Sequence, residues 1–244
     1  MTAAVRATIF DLDDTLLDTQ HLWSRVCATF AARHGHRWRT EDTLALHGNG
    51  AWASDVAGLC ATAAGPDEVI EECTGAMIGE VHAGRVGALP GAVDLVREAA
   101  RHGLIAMATA SPRRFVHEVL DRLGLTARLH AVVCGEDVTR AKPAPDAYVR
   151  AAHELRVPPS DCLAAEDSPN GIRSAATAGM RVLAIPRNGT ALPAEIAHLV
   201  TAQARSAVHA LPTLTRMLRP DLAARLSKEP PAAFRDHAAG PVTT

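Results

Sequence analysis

The sequence predicts an α/β protein in which a parallel sheet is sandwiched by helices and an all-helical segment is inserted after the first strand. Three observations carry that prediction. From Leu89 onward, short apolar runs alternate with amphipathic helical stretches. The first apolar run, Thr8-Ile9-Phe10, drives directly into the carboxylates Asp11, Asp13 and Asp14. Between that run and the next strand, residues 18–87 carry helical spacing and no strong strand signal.

The elements follow in order. Trp23, Val26, Cys27 and Phe30 recur at helical spacing, with Gly35 as a stop. Further helices are expected from Thr40 to Gly84, broken at Gly48-Asn49-Gly50. Ala92, Val93, Val96, Ala99 and Ala100 form the apolar face of a helix ended by Gly103, and Leu104–Ala108 reads as a strand closed by Thr109-Ala110-Ser111. Ser111-Pro112 supplies the expected N-cap and first turn of a helix through Leu123, stopped by Gly124. Ala131–Cys134 is a third strand, followed by a loop to Pro145 and a helix over Asp146–Leu155. Cys162–Ala165 is a fourth, running into Glu166-Asp167-Ser168; a helix to Ala178-Gly179 and the strand Arg181–Ile185 complete the alternation. The expected architecture is therefore a Rossmann-like core over residues 1–17 and 88–220, with hinges at Leu17 and Gly87–Pro90. Residues 18–87 form a helical cap, and 221–244 a mobile C-terminal tail with a short helix near Asp221 to Leu226.

Composition removes several function classes. With 25 basic and 27 acidic residues the formal net charge is -2, and aromatics are 3% of 244 residues, so neither phosphate-backbone attraction nor base stacking is provided and no nucleic-acid partner is expected. Five cysteines without a C-x-x-C pair indicate neither a disulfide framework nor a zinc site. Residues 1–8 are too short and too weakly apolar for a signal peptide, and no apolar run reaches spanning length. A cytoplasmic protein without a membrane partner follows, as a monomer or weak homodimer.

In parallel sheets of this kind the loops after the strands share one edge, where ligands bind. That rule brings Asp11, Asp13, Thr109, Lys142, Glu166 and Asp167 to one rim. Carboxylates crowded in this way raise one another's pKa unless a cation offsets them. The chain holds two lysines, Lys142 and Lys228, and the first lies in a strand-end loop. Taken singly, each acidic pair is commoner as a turn or helix cap; the set is what points to chemistry. Phosphate esters repel an anionic nucleophile unless a cation neutralises both, and Mg²⁺ is the hard ion that suits carboxylates, a carbonyl and water.

Asp11-Leu12-Asp13-Asp14-Thr15, then Thr109, then Lys142 in Ala141-Lys142-Pro143-Ala144-Pro145-Asp146, then Glu166-Asp167-Ser168-Pro169-Asn170-Gly171-Ile172 ending in Ala178-Gly179-Met180, resemble the four motifs of the haloacid dehalogenase-like (HAD) superfamily. The resemblance covers residues 5 to 190. It points to the branch of β-phosphoglucomutase and phosphoglycolate phosphatase, with a helical cap after the first motif. It implies that Asp11 is nucleophile and metal ligand, giving an aspartyl-phosphate intermediate. Asp167 is then the second carboxylate ligand to Mg²⁺, the backbone carbonyl of Asp13 a third, and Glu166 acts through a water. The Asp13 side chain serves as general acid and base, Thr109 bonds a phosphoryl oxygen, and Lys142 offsets charge on Asp11 and the phosphoryl group. Ser111 is assigned to the helix cap, and Asp14 and Thr15 to support of the loop.

The carboxylate at Asp13 disfavours dehalogenation, which needs no leaving-group acid, and the absence of lysine from residues 18–87 excludes a Schiff-base phosphonate hydrolase. In the cap, Thr19, Gln20, His21, Trp23 and the turn His47-Gly48-Asn49-Gly50 are the stretches expected to face substrate, with His21, Trp23 and Asn49 as the binding candidates. The arginine of the β-phosphoglucomutase cap loop is missing from residues 47–51. The resulting expectation is a Mg²⁺-dependent phosphatase of a small phosphorylated metabolite, such as a sugar phosphate or a phosphoglycolate-like acid. A phosphomutase and a catalytically idle binding protein on the same fold are the alternatives.

Overall fold

The computed structural model describes residues 4–219; the expected helix near Asp221 and the tail to Thr244 fall outside them. The chain begins with β1 (Ala7–Phe10) and then forms four helices in succession, α1 (Gln20–Arg33), α2 (Thr40–Leu46), α3 (Trp52–Leu59) and α4 (Pro66–His82). Alternation follows: α5 (Ala92–Ala100), β2 (Leu104–Ala108), α6 (Arg113–Arg122), β3 (Ala131–Val133), α7 (Asp146–Glu154), β4 (Cys162–Glu166), α8 (Pro169–Thr177), β5 (Arg181–Ala184), α9 (Ala194–Ala197), β6 (Ala202–Gln203) and α10 (Ala207–Leu218). No described helix is long and apolar enough to cross a membrane.

The six strands form one sheet in the order β3-β2-β1-β4-β5-β6, every pairing parallel. The α/β, Rossmann-like class expected from the sequence is the observed one. Because successive side chains on a strand point to opposite faces, β1 splits its residues: Phe10 joins Met107, Leu163 and Leu183 on one side, and Ala7 and Ile9 join Ala106, Ala164 and Val182 on the other. Both faces are dry, which is why the strands read as continuous apolar runs rather than alternating ones. The first face packs against α5, α6 and α10 and continues into α1, α3 and α4 through Trp23, Val56 and Met77. The second is covered by α7 and α8, with Tyr148 as its largest buried side chain.

The two passages between β1 and the helical segment lie side by side. Asp18 donates its N–H to the Gly87 carbonyl (3.1 Å) and Leu89 to that of Leu16 (2.8 Å), with an antiparallel bridge between Leu17 and Ala88.

One expectation is corrected. Ser111 does not cap α6: the residue before the helix is Pro112, no side chain caps it, and the Ser111 hydroxyl is turned into the sheet edge. Beyond the strand read at Arg181–Ile185, and inside the core expected to run to residue 220, the structure adds α9, β6 and α10, which the sequence had not resolved as elements. β6 has two residues and gives no periodic signal, and α10 contains Pro212, a helix breaker on local grounds. Burial of Ala207, Ala210 and Leu214 against α5 overrides that local preference. The contact is close enough that a Cβ on Gly91, at φ +84, would lie 2.8 Å from the Val208 nitrogen.

Candidate active site

β1 and β4 are neighbours, yet the chain runs from β1 outward to β3 before returning to β4, so the strand order reverses between them. A crevice opens at the carboxyl ends of such a pair. Asp11 stands there, its N–H donating to the Ala165 carbonyl at 3.0 Å, and Glu166 and Asp167 emerge from β4 beside it. Thr109 and Ser111 arrive from the end of β2, and Lys142 from the loop between β3 and α7.

Lys142 is buried, and its Nζ donates to Asp11 Oδ1 and to Glu166 Oε1, both at 2.7 Å. Burial pulls its pKa down, but the two carboxylates outweigh this and hold it above the ordinary lysine value. Glu166 is wholly buried and its oxygens are saturated. Oε1 also accepts from the Tyr148 hydroxyl (3.0 Å), while Oε2 accepts from the backbone N–H of Asp167 and of Ser168 (both 3.0 Å) and from the Ser168 hydroxyl (3.1 Å). The carboxylate fits because residue 171 lacks a side chain: a Cβ on Gly171 would fall 1.6 Å from Glu166 Oε1.

Asp11 faces the same cleft. Burial pushes its carboxyl well above the usual range, Lys142 pulls it back, and Glu166, Asp167 and Asp13 push it up again. Asp167 accepts from Thr15 Oγ1 on one oxygen (3.0 Å) and pairs with His47 Nε2 on the other (2.7 Å). Burial raises Asp167 to about 6, against the opposing bond from His47; that bond raises His47 to about 9. His47 follows the last turn of α2, so this contact ties the helical segment to the sheet edge.

Asp13 is held on both oxygens. Oδ1 accepts from Thr19 Oγ1 (2.6 Å) and Trp23 Nε1 (2.9 Å), and Oδ2 accepts from Ser111 Oγ (2.6 Å) with Thr109 Oγ1 at 3.5 Å. Burial raises its pKa, and the bonds from Ser111, Thr19 and Trp23 oppose that rise. Asp14 sits at φ 57, a left-handed conformation that Asp tolerates. Its Oδ1 accepts from the N–H groups of Thr19 (3.1 Å) and Gln20 (3.0 Å), satisfying the open N-terminus of α1, and from Arg187 (2.6 Å).

Five of the six rim residues expected from the sequence, Asp11, Asp13, Thr109, Lys142 and Asp167, thus line one cleft, faced by Trp23, Cys27, Leu46 and Trp52; Glu166 is not in its lining and lies wholly buried behind Lys142. Asn49 lines it, but its side chain is spent on the Ala45 carbonyl (3.1 Å), Asp55 (2.6 Å) and the Ala51 N–H (2.8 Å). His21 lies outside the lining, paired with Asp18 at 3.0 Å. The sequence reading gave no part in the site to Arg187, Trp52 or Tyr148. Arg187 lies in the loop after β5, shortly past its end at Ala184, and so obeyed the strand-end rule; nothing local marked Tyr148, which reads as a core aromatic.

Carboxylate oxygens of Asp11, Glu166 and Asp167 come within 4.8 Å of one another, and a second grouping joins Asp14, His47 and Asp167. An all-oxygen set of this kind fits a hard divalent cation.

Residues 5–179 match the haloacid dehalogenase-like hydrolase family. The chain belongs to that family. Among its relatives, protein CbbY of Rhodobacter capsulatus is 30% identical over 211 residues, covering 76% of this chain and 87% of that one. Hexitol phosphatase B of Escherichia coli K12 is 32% identical over 189 residues, covering 75% and 84%. The crystal structure of CbbY from Rhodobacter sphaeroides in complex with phosphate superposes with a TM-score of 0.74 at 28% identity, covering 84% of this chain and 96% of that one. Within the haloacid dehalogenase-like fold, the site described above is thus built at the sheet edge from all four motif segments.

Proposed function

We propose that this family member is a Mg²⁺-dependent phosphatase of a small phosphorylated metabolite of the sugar phosphate type, working through an aspartyl-phosphate on Asp11. The observation that carries the reading is the position of Asp11, in the cleft with Lys142 on its Oδ1 and Asp167 and Glu166 beside it. One relative supports the substrate class by its name, a hexitol phosphatase, and another was crystallised with phosphate, which fits a phosphoryl site.

Lys142 engages one oxygen of Asp11, so the other is the attacking oxygen. It forms a bond to phosphorus as the bond from phosphorus to the ester oxygen breaks. Asp13 gives a proton to the departing oxygen, then takes one from a water that attacks the same phosphorus. That second attack breaks the bond to Asp11 and frees phosphate. Thr109 bonds a phosphoryl oxygen, and Lys142 balances the charge that Asp11 carries before and after each step. Asp11, Asp167 and the Asp13 carbonyl would hold Mg²⁺, whose charge offsets the phosphoryl oxygens when it is bound. Glu166, saturated by five donors, holds Lys142 and the start of α8 in place. The helical segment over residues 18–87 acts as a cap that screens the phosphoryl group from water.

Phosphate release from a panel of sugar, polyol and glycolate phosphates tests this. The expected result is Mg²⁺-dependent release by the wild type, reduced by at least about 10³-fold in Asp11→Asn. Equal turnover by the two proteins overturns the proposal, and an isomeric sugar phosphate formed with little free phosphate assigns a mutase instead.

A further inference from the structure

Trp23 was expected from the sequence to face and bind substrate. Its ring does pack at the cleft, 5.3 Å between centroids from both Trp52 and Phe115. Its nitrogen, however, is aimed elsewhere: Nε1 donates to Asp13 Oδ1 at 2.9 Å. Thr19, buried at the start of α1, donates to the same oxygen at 2.6 Å.

An indole N–H can only donate, whereas a hydroxyl can donate or accept. Oδ1 facing Trp23 is therefore confined to accepting. Oδ2 faces two hydroxyls, Ser111 at 2.6 Å and Thr109 at 3.5 Å, either of which can turn its proton away. Oδ2 is turned to the sheet edge, where Thr109 and Ser111 stand with Asp11 and Lys142, the side of the phosphoryl group, whereas Oδ1 is turned to α1 through Thr19 and Trp23. Trp23 belongs to α1, the first helix of the inserted segment, while Asp13 belongs to the sheet edge.

We propose that Trp23 is a positioning residue for the acid–base step: its indole N–H locks Oδ1 of Asp13, so that the transferable proton sits on Oδ2 and points at the leaving-group oxygen. The inference rests on the phosphatase reading, with Asp13 as acid.

The test uses two monoesters of contrasting leaving group, p-nitrophenyl phosphate, whose phenolate departs without help, and an alkyl phosphate, whose alkoxide must be protonated. Trp23→Phe keeps an aromatic ring against Trp52 and Phe115 and removes the N–H. The expected result is a rise of about tenfold or more in the ratio of kcat/KM for the aryl ester to that for the alkyl ester, the same direction as in Asp13→Ala. Thr19→Val, which removes the second donor to Oδ1, is expected to shift the ratio the same way. It serves as the test if Trp23→Phe fails to fold. A ratio unchanged from wild type, or equal losses on both esters, shows a packing role and overturns the proposal. Turnover of neither ester above the Asp11→Asn background overturns the phosphatase reading, and the inference falls with it.

Discussion

The Nζ of Lys142 lies 2.7 Å from Glu166 Oε1, and the same nitrogen reaches Asp11 Oδ1 at the same distance. One buried cation therefore joins the end of β1 to the end of β4, across the point where the strand order reverses. Lys142→Ala would leave two buried carboxylates without it. The expected cost is about 3–5 kcal/mol in urea denaturation, with phosphate release lowered on the order of 10²-fold or more. Lys142→Arg should not restore activity, since a planar guanidinium cannot place one nitrogen between both carboxylates in the same space. An active, fully stable Lys142→Ala protein would refute this assignment.

The loop after α2 presses on the sheet edge through glycines. A Cβ on Gly48, at φ +62, would sit 2.2 Å from Ser168 Oγ, and one on Gly50 would sit 2.3 Å from Ala141 Cβ and 2.9 Å from the Lys142 nitrogen. Alanine at either position should lift His47 from Asp167 and lower kcat/KM on the order of tenfold or more. Gly58→Ala, with nothing within 4 Å of the added carbon, should leave kcat/KM unchanged and serves as the control. Steady-state kinetics of the three variants decide it.

The substrate should carry a single phosphate. Among the described residues lining the cleft, the cations are Lys142 and His47, and each is already paired with carboxylate. A second phosphate near Trp23, Leu46 and Trp52 would lose its hydration without gaining a partner. For a sugar mono- and bisphosphate of the same skeleton, kcat/KM should favour the monophosphate by about tenfold, equivalent to ~1.4 kcal/mol. A preference for the bisphosphate contradicts this.

Acid should weaken one anchor of the helical segment. Asp42, in the first turn of α2, accepts from His36 Nε2 and from the Arg39 N–H, both at 2.8 Å. The bond from His36 and those from Arg39 hold its carboxyl below the ordinary value despite burial. With the folded pKa below the unfolded one, the contribution is complete above about pH 3.9 and is lost as pH falls through the folded value. Asp42→Ala should thus cost about 1–2 kcal/mol at pH 7, and the gap from wild type should narrow below pH 4. Denaturation curves across that range provide the measurement.

Much of the site was legible because the rule for parallel sheets needs only strand ends. Once Thr8–Phe10, Leu104–Ala108 and Cys162–Ala165 are read as strands, Asp11, Thr109 and Asp167 must share an edge. The same rule would have found Arg187, had the residues after β5 been followed. The cap side was less legible, because a helix presents one face inward and periodicity does not say which polar residue on it reaches the site. His21, Trp23 and Asn49 looked equivalent. In three dimensions His21 pairs with Asp18 outside the cleft, Asn49 is spent on its own loop, and Trp23 reaches Asp13.

The amino-acid order alone determined the parallel α/β core, the helical insertion after β1 and the gathering of carboxylates with one lysine, since these depend on local periodicity and on the handed, short connections of such sheets. Tertiary structure decided how the oxygens within that gathering are occupied. How much of a buried carboxylate is left open toward the cleft depends on the donors that occupy its oxygens, and many of those donors come from residues distant in the chain. Glu166 is saturated by Lys142, Tyr148 and the start of α8. Asp14, one of the first three acids, caps α1 and holds Arg187. Asp11 keeps an oxygen toward the cleft because Lys142 takes only the other.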